Sequence, residues 1–280
     1  VSFFQDHVGI RKNRYTTHDD IHPSSCDNWG EGGFECDCGS SNSGCVAHGQ
    51  KNQLGTGEVP VYTFVSEKKI KDIEVIDLIY FVFFPYNKGK YFNAFLVKGY
   101  WESHVGDWEY LTIRLSKETR LPMYIFLSSH SFGFHYKWES YPKVLSTHPV
   151  VHCAWGSHGF YNPQNNNNHD LKSFRYETGT LAGKMSDHFP GKGKIWETWK
   201  NVVLTEKTSS GNRWTCTGHR GTPNFEKCEQ WLNFDKDFRW GNDKDGCYFS
   251  KVCHLTTGPT GPATKSAVTQ TTLPSITTFK

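Results

Sequence analysis

Apolar and polar positions along the chain follow the pattern of pleated strands. Strand-like text begins at Val59-Pro60-Val61-Tyr62-Thr63-Phe64-Val65 and resumes from Ile73 to Phe84, with Ile79-Tyr80-Phe81-Val82-Phe83-Phe84 as its densest part. An apolar run of that kind suits a strand covered on both faces. Phe92 to Val97, Trp108 to Leu115, Met123 to Ser129 and Val150 to Trp155 predict further strands. Turn signals separate them at Asn87-Lys88-Gly89, Ser116 to Arg120 and Ser131-Phe132-Gly133. Short strands at this spacing, without intervening helical periods, predict an all-β fold with minor α, an antiparallel β-sandwich. One helix is expected, over Ile195 to Val203, where Ile195, Trp199, Val202 and Val203 share a side.

The same pattern divides the chain. Residues 1–58 predict a Cys/Gly-rich amino-terminal segment packed on the core, loop-rich from 22 onward. Residues 59–255 predict the β-sandwich core with its carboxy-terminal disulfide loops. Residues 256–280, rich in Thr, Pro, Gly and Ser, have too little apolar surface to offset their ordering entropy and predict a flexible tail.

Composition sharpens this picture. The apolar content is unusually aromatic, with 20 Phe, 13 Tyr and 10 Trp in 280 residues, which favours sheets. Trp101, Trp108 and Trp155 are expected to serve packing. A net charge of +3 is too small to argue for nucleic acid. The longest apolar run, Leu78 to Tyr86, falls well short of the ~20 residues a membrane helix needs, so no transmembrane segment is expected. The chain begins Val1-Ser2-Phe3-Phe4 without Met or a basic-then-apolar leader, as a processed or trimmed form would.

Nine cysteines in such a chain predict an oxidising, secreted and extracellular setting. They fall as Cys26, Cys36, Cys38 and Cys45, then Cys153 alone, then Cys216, Cys228, Cys247 and Cys253. The two groups of four predict disulfides closed within each group, with the pairing inside each left open, so that long loops are stapled to the core. Cys153 is expected as a free, buried and inert thiol.

The most informative stretch is Ser103-His104-Val105-Gly106-Asp107-Trp108-Glu109-Tyr110. On a strand, Asp107 and Glu109 project to one face and Trp108 to the other. The Asp107 face continues through Leu111, Ile113 and Leu115, so both acids point inward. Like charges in a half-buried place repel and lose hydration, and protonation, a basic partner or a bound cation relieves them. Gly106 permits a bulge that would swing His104 to the same spot. His104, Asp107 and Glu109 then form a candidate metal site; the alternative is acids paired with Lys98 or Arg114.

The spacing His-x-x-Asp-Trp-Glu resembles the signature of the necrosis- and ethylene-inducing-like proteins. That resemblance implies a cation held by the matching His, Asp and Glu in a secreted β-sandwich, and a cytolytic action. A longer stretch is similar to the vacuolar protein sorting protein 62-like domains. It comprises Tyr80 to Asn87, His104 to Tyr110, Ser128-Ser129-His130-Ser131-Phe132-Gly133 and Pro149 to Tyr161, in that family's order, over about residues 73 to 163. Tyr110 stands where that family often has His. His130 and His158, each just beyond a predicted strand in a Ser-His-Ser or Ser-His-Gly setting, are candidate catalytic residues should the protein be an enzyme.

Carboxylates and water favour Ca²⁺ or Mg²⁺, and added imidazoles shift the preference toward Mn²⁺ or Zn²⁺. A hard divalent cation is therefore expected first. The leading expectation is a secreted cation-binding β-sandwich protein that recognises a small-molecule, glycan or lipid head group, polar or anionic, at a membrane surface. The alternatives are a metal-dependent hydrolase of phosphoester or glycosidic bonds, and a structural extracellular domain.

Overall fold

The computed structural model describes residues 8–11, 14–17, 61–87, 89–94, 97–129, 132–163, 174–180, 183–189, 196–200, 202–207, 214–219, 239–240, 246–248, 252–254, 261–269 and 272–273. Its strands begin with β1 (Val8–Arg11), β2 (Arg14–Thr17), β3 (Val61–Ile70), β4 (Ile73–Asn87), β5 (Lys90–Ala94), β6 (Val97–Ser116), β7 (Pro122–Ser129) and β8 (Phe132–Lys137). Short strands β9 (Lys143–Val144), β10 (His148–Pro149), β11 (His152–Cys153) and β12 (Phe160–Tyr161) follow. Then come β13 (Phe174–Thr180), β14 (Gly183–Phe189), β15 (Val202–Lys207), β16 (Trp214–His219), β17 (Arg239–Trp240), β18 (Gly246–Tyr248), β19 (Val252–His254) and β20 (Thr272–Leu273). Among the described residues the helical turns are η1 (Thr198–Lys200), η2 (Pro262–Thr264) and α1 (Ser266–Thr269).

The chain is thus mostly β with little helix, and its pairings are chiefly antiparallel. Among the described residues one sheet of 13 strands runs β13-β14-β5-β6-β4-β3-β15-β16, with β7 and β19 also pairing β6, β8 pairing β7, β18 pairing β19 and β20 pairing β3. β6 is the spine of this sheet. Its first half pairs with β5 and its second with β4 and β7, so the strand expected over Trp108 to Leu115 is the second half of one strand of 20 residues, while Phe92 to Ala94 belong to β5. It stops at Ser116, whose hydroxyl accepts the Thr119 N–H while Arg120 adopts φ 59° to turn the chain into β7.

Alternation decides what each face buries. On β3, Tyr62, Phe64, Ser66 and Lys68 are buried, whereas Val65 and Glu67 are exposed. With Phe81 on β4 and Trp108 on β6 they begin an aromatic face: Trp108 meets Tyr62 at 5.8 Å and Phe83 at 4.8 Å, and Phe64 meets Trp214 at 4.5 Å. The opposite face carries Val61, Val82, Ile125, Leu127, Phe134, Tyr136 and Tyr161. Each fully buried aliphatic or aromatic side chain of this kind contributes about 1.5–3 kcal/mol by leaving water.

Several expectations are corrected. The helix over Ile195 to Val203 is instead η1 followed by β15, because the β-branched Val202, Val203 and Thr205 are taken up by parallel pairing with β3. The strand over Val150 to Trp155 shrinks to His152 and Cys153, which the chain leaves for a turn closed by Ala154 N–H on Gly159 O and His158 N–H on Ala154 O. Trp155 is exposed rather than packed. Part of the expected tail is built in: η2 and α1 lie against the core, Val268 is buried, and β20 pairs in parallel with β3. Parallel pairs also join β15 to β3 and β19 to β6, so the sheet is mixed.

Cys153 is free, as expected, but keeps solvent-exposed surface instead of lying in a sealed core. Cys216, on β16, is disulfide-bonded. Cys247 and Cys253 stand opposite each other in the β18–β19 register. Cys26, Cys36, Cys38, Cys45 and Cys228 lie outside the described residues.

Gly133 on β8 gives a direct test of the packing. A Cβ there would meet the Phe126 ring at 2.2 Å and the Leu127 carbonyl at 2.4 Å. Gly133→Ala should therefore cost about 1–3 kcal/mol, as overpacking does. An unchanged midpoint in urea unfolding would show that the β7–β8 pairing is drawn wrongly.

Candidate functional site

The site is built on the second half of β6. The pleat sends Asp107 and Glu109 to the face opposite Trp108, as their spacing predicts, with Phe84 of β4 opposite Asp107 and Val82 opposite Glu109. Both acids are buried, at 6% and 5% exposure. A third, Asp187 of β14, is 3% exposed and joins them from a strand some eighty residues further along.

Each carboxylate has defined partners. Asp107 Oδ2 accepts the Asn87 amide N–H at 2.8 Å and lies 3.0 Å from His158 Nδ1. Asn87 also donates to Ser157 O at 3.1 Å, while its own Oδ1 accepts the Gly89 N–H. One amide therefore ties the end of β4, the strand β6 and the turn between β11 and β12. The Ser128 hydroxyl donates to Glu109 and accepts the Tyr110 N–H at 2.8 Å, replacing a backbone rung where β7 parts from β6. Asp187 accepts from the Ser157 and Tyr161 hydroxyls, and Ser129 donates to the Tyr161 oxygen at 2.7 Å.

His158 is held on two sides. Its ring stacks on Phe84 with centroids 4.0 Å apart and planes within 6°, and its Nδ1 faces Asp107. Its backbone adopts φ 62°, a left-handed conformation uncommon for a non-glycine residue, which lets the turn present the ring to β6. If Nδ1 carries the proton for Asp107, Nε2 is the acceptor nitrogen. Nε2 takes no partner among the described residues.

Crowding of acids sets the electrostatics. Burial, and next the Asp107 charge, push the Glu109 carboxyl well above the usual carboxylate range, with the Ser128 hydroxyl and Lys265 opposing. Burial and the charges of Glu109, Asp107 and Asp187 push the Cys153 thiol up. Its Sγ points to the Ala154 and His158 carbonyls. Cys153 is therefore held as a thiol rather than a thiolate, which makes it a poor nucleophile despite its exposure.

Not every expected residue joins this group. The β4–β6 register runs without an inserted residue from Val75 opposite Ser116 to Asn87 opposite His104, so the bulge expected at Gly106 does not form. The His104 side chain and His130 lie outside the described residues. Asn87, Ser128, Ser129, Ser157 and Tyr161 stood inside the family-like sequence blocks without being singled out. Asp187 sits in no motif and had no signal in the sequence.

Residues 45–167 match the family described as Vacuolar protein sorting-associated protein 62, in keeping with the resemblance read from the sequence. The matched stretch holds every residue of the site except Asp187. Vacuolar protein sorting-associated protein 62 of the yeast Saccharomyces cerevisiae is 27% identical over 210 residues, covering 69% of this chain and 40% of that protein. TDA6 of the same yeast, whose name assigns it provisionally to vacuolar sorting, is 26% identical over 190 residues, covering 60% and 36%. The chain thus spans about two fifths of the length of these relatives. Their names assign both proteins to vacuolar protein sorting, which overturns the expectation of a secreted protein. The crystal structure of Necrosis and Ethylene inducing Protein 2, from the agent of cocoa's witches' broom disease, overlaps 53% of this chain and 52% of that one at 12% identity. Its TM-score of 0.25 is too low to carry an inference about fold or activity.

The raised Glu109 carboxyl predicts a pH effect with a definite sign. The folded protein keeps a proton that the unfolded chain loses around its ordinary value of 4.5. The associated stability is complete below that value and is lost as pH rises through the folded-state value. In chelator, the melting temperature of Glu109→Gln should fall less than that of the wild type as pH rises from mildly acidic to mildly basic. Parallel curves for the two proteins would contradict the buried, crowded carboxyl.

Proposed function

We propose that this chain is a β-rich binding module whose carboxylate centre takes a divalent cation and, through it, a polar or anionic head group, a glycolipid or glycan, at a membrane surface. The observation that carries this reading is the convergence of Asp107, Glu109 and Asp187, all buried and close enough for each charge to raise the Glu109 carboxyl. Burying several like charges is costly unless a proton or a counter-charge compensates them.

The donors suit a hard cation. They are carboxylate oxygens, which favour Ca²⁺ or Mg²⁺, and one imidazole nearby leaves Mn²⁺ or Zn²⁺ as the second choice. Asp107 and Glu109 would hold the ion, with Asp187 beside them; the bound ion would supply the charge that attracts a head-group oxygen. Among the described residues no three of His, Cys, Asp or Glu already close around one point. Binding would therefore draw the carboxylates away from their serine and tyrosine partners. Among the described residues no helix is long and apolar enough to cross a membrane, and the reading asks only for a surface contact. The vacuolar sorting named for the yeast relatives is a membrane process and accords with such a partner. Sandwich packing and loops stapled by the two cysteine groups belong to the same reading.

Divalent cations should raise the melting temperature of the wild type over that in chelator, since a ligand at about 100 times its Kd adds about 2.7 kcal/mol to the folded state. Asp107→Ala should remove that gain and abolish cation-dependent co-sedimentation with vesicles bearing glycolipid or anionic head groups. Equal melting temperatures with each cation and with chelator would defeat the proposal.

The Asp107–His158 pair favours a second reading, a metal-dependent hydrolase of phosphoester or glycosidic bonds. A carboxylate that fixes Nδ1 and leaves Nε2 without a partner among the described residues is the arrangement of a general base. His158→Ala should then lower turnover on the order of 10²-fold or more while leaving metal content nearly unchanged. Wild-type protein that turns over neither substrate class, with cation present, would eliminate this reading.

A further inference from the structure

The aromatic face of the sheet changes character beyond Phe64 and Phe81. Register places Ser66 opposite Asp77 on β3 and β4, and Asp77 opposite Arg114 on β6. Lys68, Asp77 and Arg114 are all buried there, at 5%, 1% and 6% exposure. Arg114 grips Asp77 with two parallel bonds, Nε to Oδ1 at 2.7 Å and Nη2 to Oδ2 at 2.8 Å. Lys68 Nζ shares Asp77 Oδ2 at 3.0 Å and donates to the Ala267 carbonyl of α1.

Two cations thus share one carboxylate in a buried place. Among the described residues, the charged side chains acting on Lys68 are Asp77 and Arg114, and those acting on His135 are the same two. Among the described residues no second acid offsets the excess. The remaining Arg114 nitrogen, Nη1, takes no partner among the described residues, and Lys68 has one more N–H than the two acceptors it meets. These groups line a cavity of about 150 Å³, together with Tyr110, Thr112, Tyr124, Phe126, His135 and the α1 backbone. At about 30 Å³ per water that is room for some five waters or one small polyatomic ion.

We propose that this cavity is a binding site for a small oxyanion of the phosphate type, held by Arg114 and Lys68 beneath α1. With its Nε–Nη2 edge taken by Asp77, Arg114 offers Nη1 and Lys68 its third N–H, two separate donors that the several oxygens of a polyatomic oxyanion can meet together and a single halide meets less well. Thr112 adds a hydroxyl and His135 a ring N–H. Burial and Arg114 disfavour the charged form of both His135 and Lys68, and a bound anion would favour it. The site lies on the opposite face of the sheet from Asp107 and Glu109, and does not depend on a cation there.

The test uses inorganic phosphate first, against chloride at matched ionic strength, in chelator. Phosphate should raise the melting temperature of the wild type and of Asp107→Ala alike, and should move the Arg114 Nε–H resonance in NMR with a single saturable midpoint. Lys68→Met, which keeps the apolar stem and removes the excess charge, should lose the phosphate-specific rise. A response to free phosphate identifies a soluble anion. Sedimentation only with vesicles that carry a phosphomonoester lipid, lost in Lys68→Met, identifies the same chemistry on a head group. Absence of both responses, retention of either in Lys68→Met, or a melting response to free phosphate that leaves the Arg114 resonance in place would overturn the proposal. The NMR measurement decides the matter on wild-type protein if Lys68→Met does not fold.

Discussion

Both polar centres depend on the pleat of one strand. β6 is covered on its two faces, and its side chains alternate between them. Asp107 and Glu109 fall on one side, and Trp108, Thr112 and Arg114 on the other. A shift of one residue in the β4–β6 register would carry the acids into the aromatic face and Arg114 into the aliphatic one. That register is continuous over twelve paired positions, which makes it the most firmly held feature of the sheet.

The consequence is a sheet polarised across its thickness. One face gathers Asp107 and Asp187 around Glu109, and the other gathers two cations around Asp77. A buried pair made of one cation and one anion can come near to balancing its desolvation. Burial and the neighbouring acids raise Glu109 on the acidic side, and burial lowers Lys68 on the basic side.

The turn between β11 and β12 holds the acidic centre together. Ser157 and His158 reach Asp187 and Asp107 from adjacent positions, and the Asn87 amide bonds both the turn and Asp107. Three segments distant in sequence are thereby fastened at one carboxylate, which suits a site that must hold its geometry against repulsion. The hydroxyls of Ser128, Ser157 and Tyr161 are exchangeable partners, since a hydroxyl rotates to a new acceptor more readily than a charged pair separates.

The sequence by itself determined the β-rich character, the strands from Val61 to Ser129 and the inward pairing of Asp107 with Glu109. These rest on a period of two and on β-branched and aromatic side chains, which are local properties. It also marked His158 through its family-like setting. Tertiary structure decided the rest, because those features come from pairings between distant segments. β14 delivers Asp187, parallel pairing with β3 turns an expected helix into β15, and packing of Val268 fastens part of an expected tail. The continuous register at Gly106 likewise removed a bulge that glycine permits but does not require. In the sequence Arg114 stood out only as an alternative partner for Asp107 and Glu109, and Lys68 had no signal. Only the layer laid over that face by α1 buries them, and burial is what turns two common cations into an unbalanced charge.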